Sequence, residues 1–189
     1  MYRAVWVLIA GCAVGQADEQ SLESVMALPL ADGFDFPVGA PDAAGYRNAQ
    51  GFGVNYHLGE DWNGVLGGES DLGDPVYAIA HGRVTSAEHR GEGWGNVVRI
   101  GHRVRGIGGD DEVESFYAHL DRIDVEQGDI VFRGQPIGTI GNADGAWHAH
   151  LHLELRRGIG APDGRGYSDV PRGWLDPTVF IENHRPLVR

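Results

Sequence analysis

The chain contains no lysine: all fifteen of its cationic side chains are arginine, set against 27 Asp and Glu. Without a side-chain amine there is nowhere to attach a biotinyl or lipoyl group. A net charge of −12 leaves too little clustered cation to neutralise a phosphate backbone or to coat an anionic membrane surface, so no nucleic-acid partner is expected. Cysteine is almost missing as well. The sole one, Cys12, lies in the opening apolar run, so no disulfide is available to the remainder of the chain, and its stability has to come from packing, with or without a metal. No sequence repeat is visible. The apolar run, Ala4 to Gly15, is too short to serve as a permanent membrane span.

That opening stretch, MYRAVWVLIAGCAVGQADE, has one cation, an apolar centre and small residues before an acidic segment, which is the pattern of an export signal. Two cleavage points fit it. A cut before Cys12, in LIAGC, resembles the lipobox of bacterial lipoproteins and would leave a lipid anchor on Cys12. A cut after Ala17, in VGQA, would release a soluble protein. Both readings place the mature protein outside the cytoplasm, in the periplasm, the cell envelope or the medium.

At 189 residues the chain suits one domain with a real core. Residues 1–17 are assigned to the signal, 18–30 to a polar linker and 31–186 to the domain. Within the domain, Ala31 to Gly53 is rich in Gly, Pro, Asp and Asn and reads as a wrapping loop, a candidate cover for any groove. Short apolar runs then recur between glycine-rich turns, starting at Pro75, Arg83, Asn96, Val113, Asp129, Pro136 and His148, and none carries a helical period. The expected fold is therefore all-β, mainly antiparallel sheets with long loops. RGIGGDDEV, from Arg105 to Val113, reads as a long hairpin loop with a solvated acidic tip. A short C-terminal helix is expected from Asp176, with Asp as N-cap and Pro177 in the first turn.

The chemistry concentrates in HAHLHLEL, from His148 to Leu155. Read with a strand period of two, its columns are His148, His150, His152, Glu154 and Ala149, Leu151, Leu153, Leu155, so the apolar column faces a core and the imidazoles line the other surface. Same-face neighbours stand roughly 7 Å apart, close enough for two imidazoles to share one cation. In HLGEDW, His57 and Asp61 fall on one face at i and i+4. Together these supply imidazoles plus a carboxylate and no thiolate, a donor set suited to zinc. His119, in FYAHL, stands at a strand end from which a side chain can look into a site. Spacing alone leaves open which histidines are ligands.

These elements occur in a particular order: His57-x-x-x-Asp61, GDPVYAIAHGRV from Gly73, GWGNVVRIGH from Gly93, YAHL from Tyr117, GDIVFRGQPIGTIGN from Gly128 and HLHLE from His150. In that order, over about residues 55 to 156, they resemble the M23 family of zinc metallopeptidases, the LytM or lysostaphin type, which implies that architecture for the fold. The resemblance implies that His57, Asp61 and His152 hold Zn2+ and that His119 and His150 are an unligated catalytic pair. It further implies an endopeptidase acting on stem peptides or cross-links of peptidoglycan. Three protein ligands leave a fourth position for water, whose pKa the ion lowers toward roughly 7. With no HExxH glutamate in the chain, His150 or His119 is the expected proton acceptor and the other the donor. Glu154 is either a partner orienting a ligand or a plain strand-face residue. His148 has no counterpart in the family pattern and is assigned to the site rim.

Two departures from the family pattern stand out. The glycine-rich stretch from Gly64 to Gly73 is long and is expected near the cleft mouth. Trp147 and His148 precede the histidine strand where small residues are usual, and Trp147 is expected to pack rather than to line the groove. Other classes remain in view. A non-catalytic LytM-type domain that binds and activates cell-wall amidases typically lacks zinc ligands, whereas all five site residues are present here. VEQGDIVFRGQPIG, from Val125, also resembles the hairpins of biotinyl and lipoyl carriers, but without lysine that likeness concerns shape alone. A secreted metal-binding or sugar-binding β domain would explain neither His119 nor the Asp61 spacing.

Overall fold

The computed structural model describes residues 27–91, 93–106 and 109–187. The expected signal, with Cys12 and Ala17, and most of the linker lie outside these residues. The fold is all-β and antiparallel, as the sequence predicts. Its strands are β1 (Tyr46–Gln50), β2 (Glu60–Gly64), β3 (Pro75–Tyr77), β4 (Gly82–Gly91), β5 (Gly95–Arg105), β6 (Asp110–Ile123), β7 (Ile130–Val131), β8 (Pro136–Ile140), β9 (Leu151–Arg157) and β10 (Trp174–Leu175). The main path runs β1-β2-β9-β6-β5-β4-β7, with β10 on β9, and with β8 joining β6 to β3. Among the described residues no helix is long and apolar enough to cross a membrane.

The seven apolar runs all contribute to strands or bridges, because each alternates side chains that a pleated ladder can bury on one face. Ala149, Leu151, Leu153 and Leu155 are fully buried in a core that also takes Val98, Ile100 and Tyr117. Each such side chain contributes about 1.5–3 kcal/mol by leaving water. The opposite column is not solvated. His152, Glu154 and Arg156 are also buried, beneath the chain that follows β9.

The C-terminal helix, α1 (Pro177–Asn183), begins where expected: the Val179 N–H donates to Asp176 Oδ1 at 2.9 Å, and Pro177 occupies the first turn. RGIGGDDEV is shorter as a loop than its composition indicates. Strands β5 and β6 stay paired out to Arg105 opposite Asp110, and Arg103 lies opposite Glu112, so the acids stand in a ladder facing arginines. Cross-strand charge pairing supplies what composition alone does not reveal.

Within the segment from Ala31 to Gly53, the stretch from Phe34 to Val38 is seated in the core, residues 39–53 are more exposed, and Gln50 reaches the cleft that holds His57 and His152. Phe34 and Val38 are fully buried, with the Phe34 ring edge-on to Phe180 at 5.0 Å and to His102 at 5.6 Å. Asp35 pairs with Arg133 and with Arg185. Its last residues form β1, which pairs with β2. The end of the expected linker is also seated: Leu30 bridges Arg103 in β5.

One buried polar chain crosses this core. His102 donates from Nδ1 to the His81 carbonyl (2.9 Å) and meets Ser115 Oγ through Nε2 (2.7 Å), and the Ile79 N–H donates to Tyr117 Oη. Burial pulls His102 down to about 4. The unfolded chain, with a histidine near 6.5, therefore binds a proton that the folded chain does not between those two pH values, and stability falls as pH drops through that window. The expected loss is about 3 kcal/mol between pH 7 and 4. Urea unfolding of the wild type and of His102→Gln across this range checks it: the slope assigned to His102 is the part that disappears in the variant.

Candidate metal centre and cleft

Three adjacent strands build the site. In the β2–β9 ladder Asp61 is directly opposite His152, and in the β9–β6 ladder His152 is opposite Ala118. Opposite residues on antiparallel strands share a face, so Asp61 and His152 meet without a bend in either chain. His57 precedes β2 and bridges Tyr167 through the backbone. Gly59 makes the approach possible. A Cβ there would stand 2.5 Å from the Leu153 carbonyl oxygen and 2.9 Å from His152 Cε1.

His57 Nε2, Asp61 Oδ1 and His152 Nδ1 form a triangle with sides of 3.1, 2.9 and 3.5 Å. An ion bound tetrahedrally at about 2.0–2.1 Å to nitrogen and oxygen has ligand–ligand edges of roughly 3.3 Å, so the donors already stand at the spacing such an ion requires. The electrostatics agree. Burial opposes charging of His152, yet hydrogen bonds and the fields of Asp61 and Glu154 outweigh it and raise His152 to about 9. Asp61 is held below the usual carboxylate range, the His152 hydrogen bond overcoming its burial. Positive charge is thus stabilised at this spot.

Glu154 acts from behind. It accepts from His152 Nε2 at 3.1 Å, from Arg156 Nε at 2.8 Å and from Trp174 Nε1 at 2.7 Å, and it is fully buried. With Nε2 directed at Glu154, His152 turns Nδ1 toward the triangle, where its lone pair would serve an ion that displaces the Nδ1 proton. Of the two readings of Glu154, the orienting one matches this geometry.

His119 and His150 flank the triangle. Their rings are 4.7 Å apart, and His150 Nε2 lies 3.6 Å from Asp61 Oδ1. In a regular strand His119 would point away from the face that Ala118 shares with His152. It adopts φ 64° where the pairing of β6 changes partner, and this turns the ring toward the cleft. Both rings donate through Nδ1 to carbonyls, His119 to Trp94 at 3.2 Å and His150 to His148 at 2.8 Å, leaving each Nε2 with a lone pair. Burial, with His152 and His150 close by, pulls His119 down to about 3, so it is neutral at pH 7.

The five residues named from the sequence thus line one cleft of about 430 Å3. Trp94 and Trp147 form one wall, and Gly164 to Tyr167 the other, with the Tyr167 ring 5.1 Å from that of His57. Trp147, expected to pack, is a half-exposed wall residue held by its Nε1 donating to the Gly93 carbonyl at 3.0 Å. His148 is not at the rim. It precedes the strand, is exposed, and pairs with Glu69 at 2.7 Å on the outer side of the turn. The Gly64 to Gly73 loop makes that contact through Glu69 and contributes nothing to the cleft lining. Tyr167 and Arg165 were not legible beforehand, since APDGRGYSD carries no periodicity and no motif.

The His–Asp–His cluster at the floor of this cleft, set in an antiparallel β fold, is a group of donors that could hold a metal ion. The description "Peptidase family M23" matches residues 56–165, more than half of the chain, and the protein belongs to that family. The lipoprotein NlpD of Yersinia enterocolitica is 36% identical over 84 residues, which cover 44% of this chain and 78% of NlpD. The murein hydrolase activator EnvC of Escherichia coli (strain K12) is 33% identical over 114 residues, 60% of this chain and 23% of EnvC. Among solved structures, the antimicrobial peptidase lysostaphin from Staphylococcus simulans superposes with a TM-score of 0.51 at 26% identity, covering 73% of this chain and 50% of that one. The chain therefore spans most of NlpD but half or less of the other two.

Proposed function

We propose that the protein is a zinc-dependent endopeptidase that hydrolyses peptide bonds in peptidoglycan stem peptides or cross-links. The observation that carries this reading is the pairing of two functions in one cleft: a three-donor triangle at ion-binding spacing, and two further imidazoles beside it that are not needed to complete it. His57, Asp61 and His152 would hold the ion, which when bound supplies Lewis acidity and lowers the pKa of water. His150 Nε2 is placed to take the proton of the attacking water, and His119 Nε2, on a ring 4.7 Å away, would receive that proton from His150 before delivering it to the departing amine. Trp94 and Trp147 exclude water along one side of the substrate. Substrate class is transferred from the family and from lysostaphin; export, with or without a lipid on Cys12, is transferred from the signal-like opening and from the lipoprotein relatives.

A second reading has support from EnvC, whose name describes a murein hydrolase activator: the domain would bind and switch on a cell-wall amidase without cutting. The complete set of five site residues favours catalysis. Digestion of purified sacculi, with mass analysis of released peptides and a parallel reaction containing chelator, separates the two. Chelator-sensitive release of stem-peptide fragments by the purified chain is expected. Release only when an amidase is added would establish the activator reading instead.

A further inference from the structure

We propose that Arg165 is a specificity-determining residue that binds a free carboxylate of the peptide substrate, so that the cleft prefers an acidic, carboxylate-bearing peptide to an uncharged glycyl one. This rests on the cleft being a peptide site. Among the described residues, Arg165 is the only arginine lining the cleft, and it is exposed. In a chain of net charge −12, a cation at this place works against the general field, which repels acidic peptides.

The side chain is available because its nearest acid is occupied. Asp163, two residues earlier, is within 3.2 Å of Arg99 Nη1, 3.3 Å of Arg156 Nη1 and 3.4 Å of Arg90 Nη1. Three arginines on one carboxylate leave it no need of a fourth, and Arg165 has no carboxylate partner among the described residues. Most arginines of the sheet are paired in this way, as Arg122 is with Asp124 and Arg133 with Asp32.

The backbone carrying Arg165 is pinned on both sides. Upstream, Asp163 is clasped as described. Downstream, the Gly166 carbonyl accepts from the Leu58 N–H at 2.8 Å, and Tyr167 bridges His57. Gly166 has φ 76°, and a Cβ there would stand 2.9 Å from the Trp94 ring. The loop is therefore held against the same residues that carry the metal triangle and the opposite wall. A guanidinium so mounted presents a fork of donors that matches a carboxylate in two parallel hydrogen bonds, at a fixed place relative to the bond to be cut.

Affinities for two synthetic stem peptides of one sequence, one with free carboxylates and one fully amidated, test the assignment by calorimetry. The full chain carrying His150→Ala keeps the peptides intact during the titration. The carboxylate form is expected to bind about tenfold more tightly, the low end for a hydrogen-bonded charge at an exposed position. Arg165→Gln should bring that ratio to about 1, and Arg165→Lys should restore part of it. Equal affinities in the Arg165 protein, persistence of the ratio in Arg165→Gln, or binding of neither peptide would overturn the assignment. If the ratio behaves as expected but the zinc-loaded protein with His150 intact cuts neither peptide, the endopeptidase reading fails while Arg165 keeps its role.

Discussion

Asp61→Ala is expected to reduce bound zinc from one ion per chain to nearly none and to bring peptide hydrolysis down to background. Asp61 is the only anionic donor in the triangle, and its Oδ1 stands 2.9 Å from His152 Nδ1 and 3.5 Å from His57 Nε2. Removing it leaves two imidazoles that supply no negative charge to offset that of the ion, and a ligand set of two no longer closes around zinc. His119→Ala is the matched control. Its Nε2 stands outside the triangle, so metal content should stay at one while the rate falls by about 10²–10⁴, the usual share of a general acid or base. Elemental analysis after dialysis, run beside the rate assay, reads both quantities. Full zinc occupancy in Asp61→Ala would remove the proposed centre.

Arg156→Met is expected to lower the stability of the fold by about 3–5 kcal/mol, the cost of stripping one partner from a buried ion pair. Arg156 is completely buried, with Nε on Glu154 at 2.8 Å, Nη1 on Asp163 at 3.3 Å, and its guanidinium 4.2 Å above the Phe116 ring. Without it, Glu154 loses a permanent cation while still in the interior, and the carboxylate, held low by His152 and Arg156 against its burial, would shift upward. The adjacent Arg157 is exposed, so Arg157→Met should change stability by less than about 0.5 kcal/mol. Urea unfolding of the two variants measures the difference. Equal and small effects would mean that Glu154 does not depend on Arg156.

Much of this architecture was visible in the order of residues. Alternation in HAHLHLEL located β9 and its core face, and Asp176 with Pro177 marked the helix start, because both signals are local. Two kinds of feature were hidden. Residues 31–53 look like loop because their buried anchors, Phe34 and Val38, are set among Gly, Pro and Asp without a period, and only contact with Phe180 and His102 makes them core. The polar column of β9 looked solvent-facing because nothing in its own sequence announces the chain from Ala161 to Asp163 that covers it. Within the site, His57, Asp61, His119, His150 and His152 were named from spacing and resemblance, and the fold brings all five to one cleft. Tyr167 and Arg165 enter that cleft from a stretch without any repeating pattern, so only three-dimensional proximity identifies them. His148 fell on the right column but ahead of the first β9 residue, where alternation no longer fixes direction.

Arg156 touches Glu154 with one edge and Asp163 with the other. The support of His152 and the tether of the substrate wall are therefore one unit, and the loop after β9 cannot be exchanged as an independent part. A chimera receiving residues 158–168 from a relative would inherit new recognition only if the donor stretch also brought an acid in register with Arg99 and Arg156. A donor lacking it would strip Arg99 and Arg156 of a shared carboxylate beneath His152, so retargeting this scaffold means transplanting its hidden ionic foundation along with the visible surface.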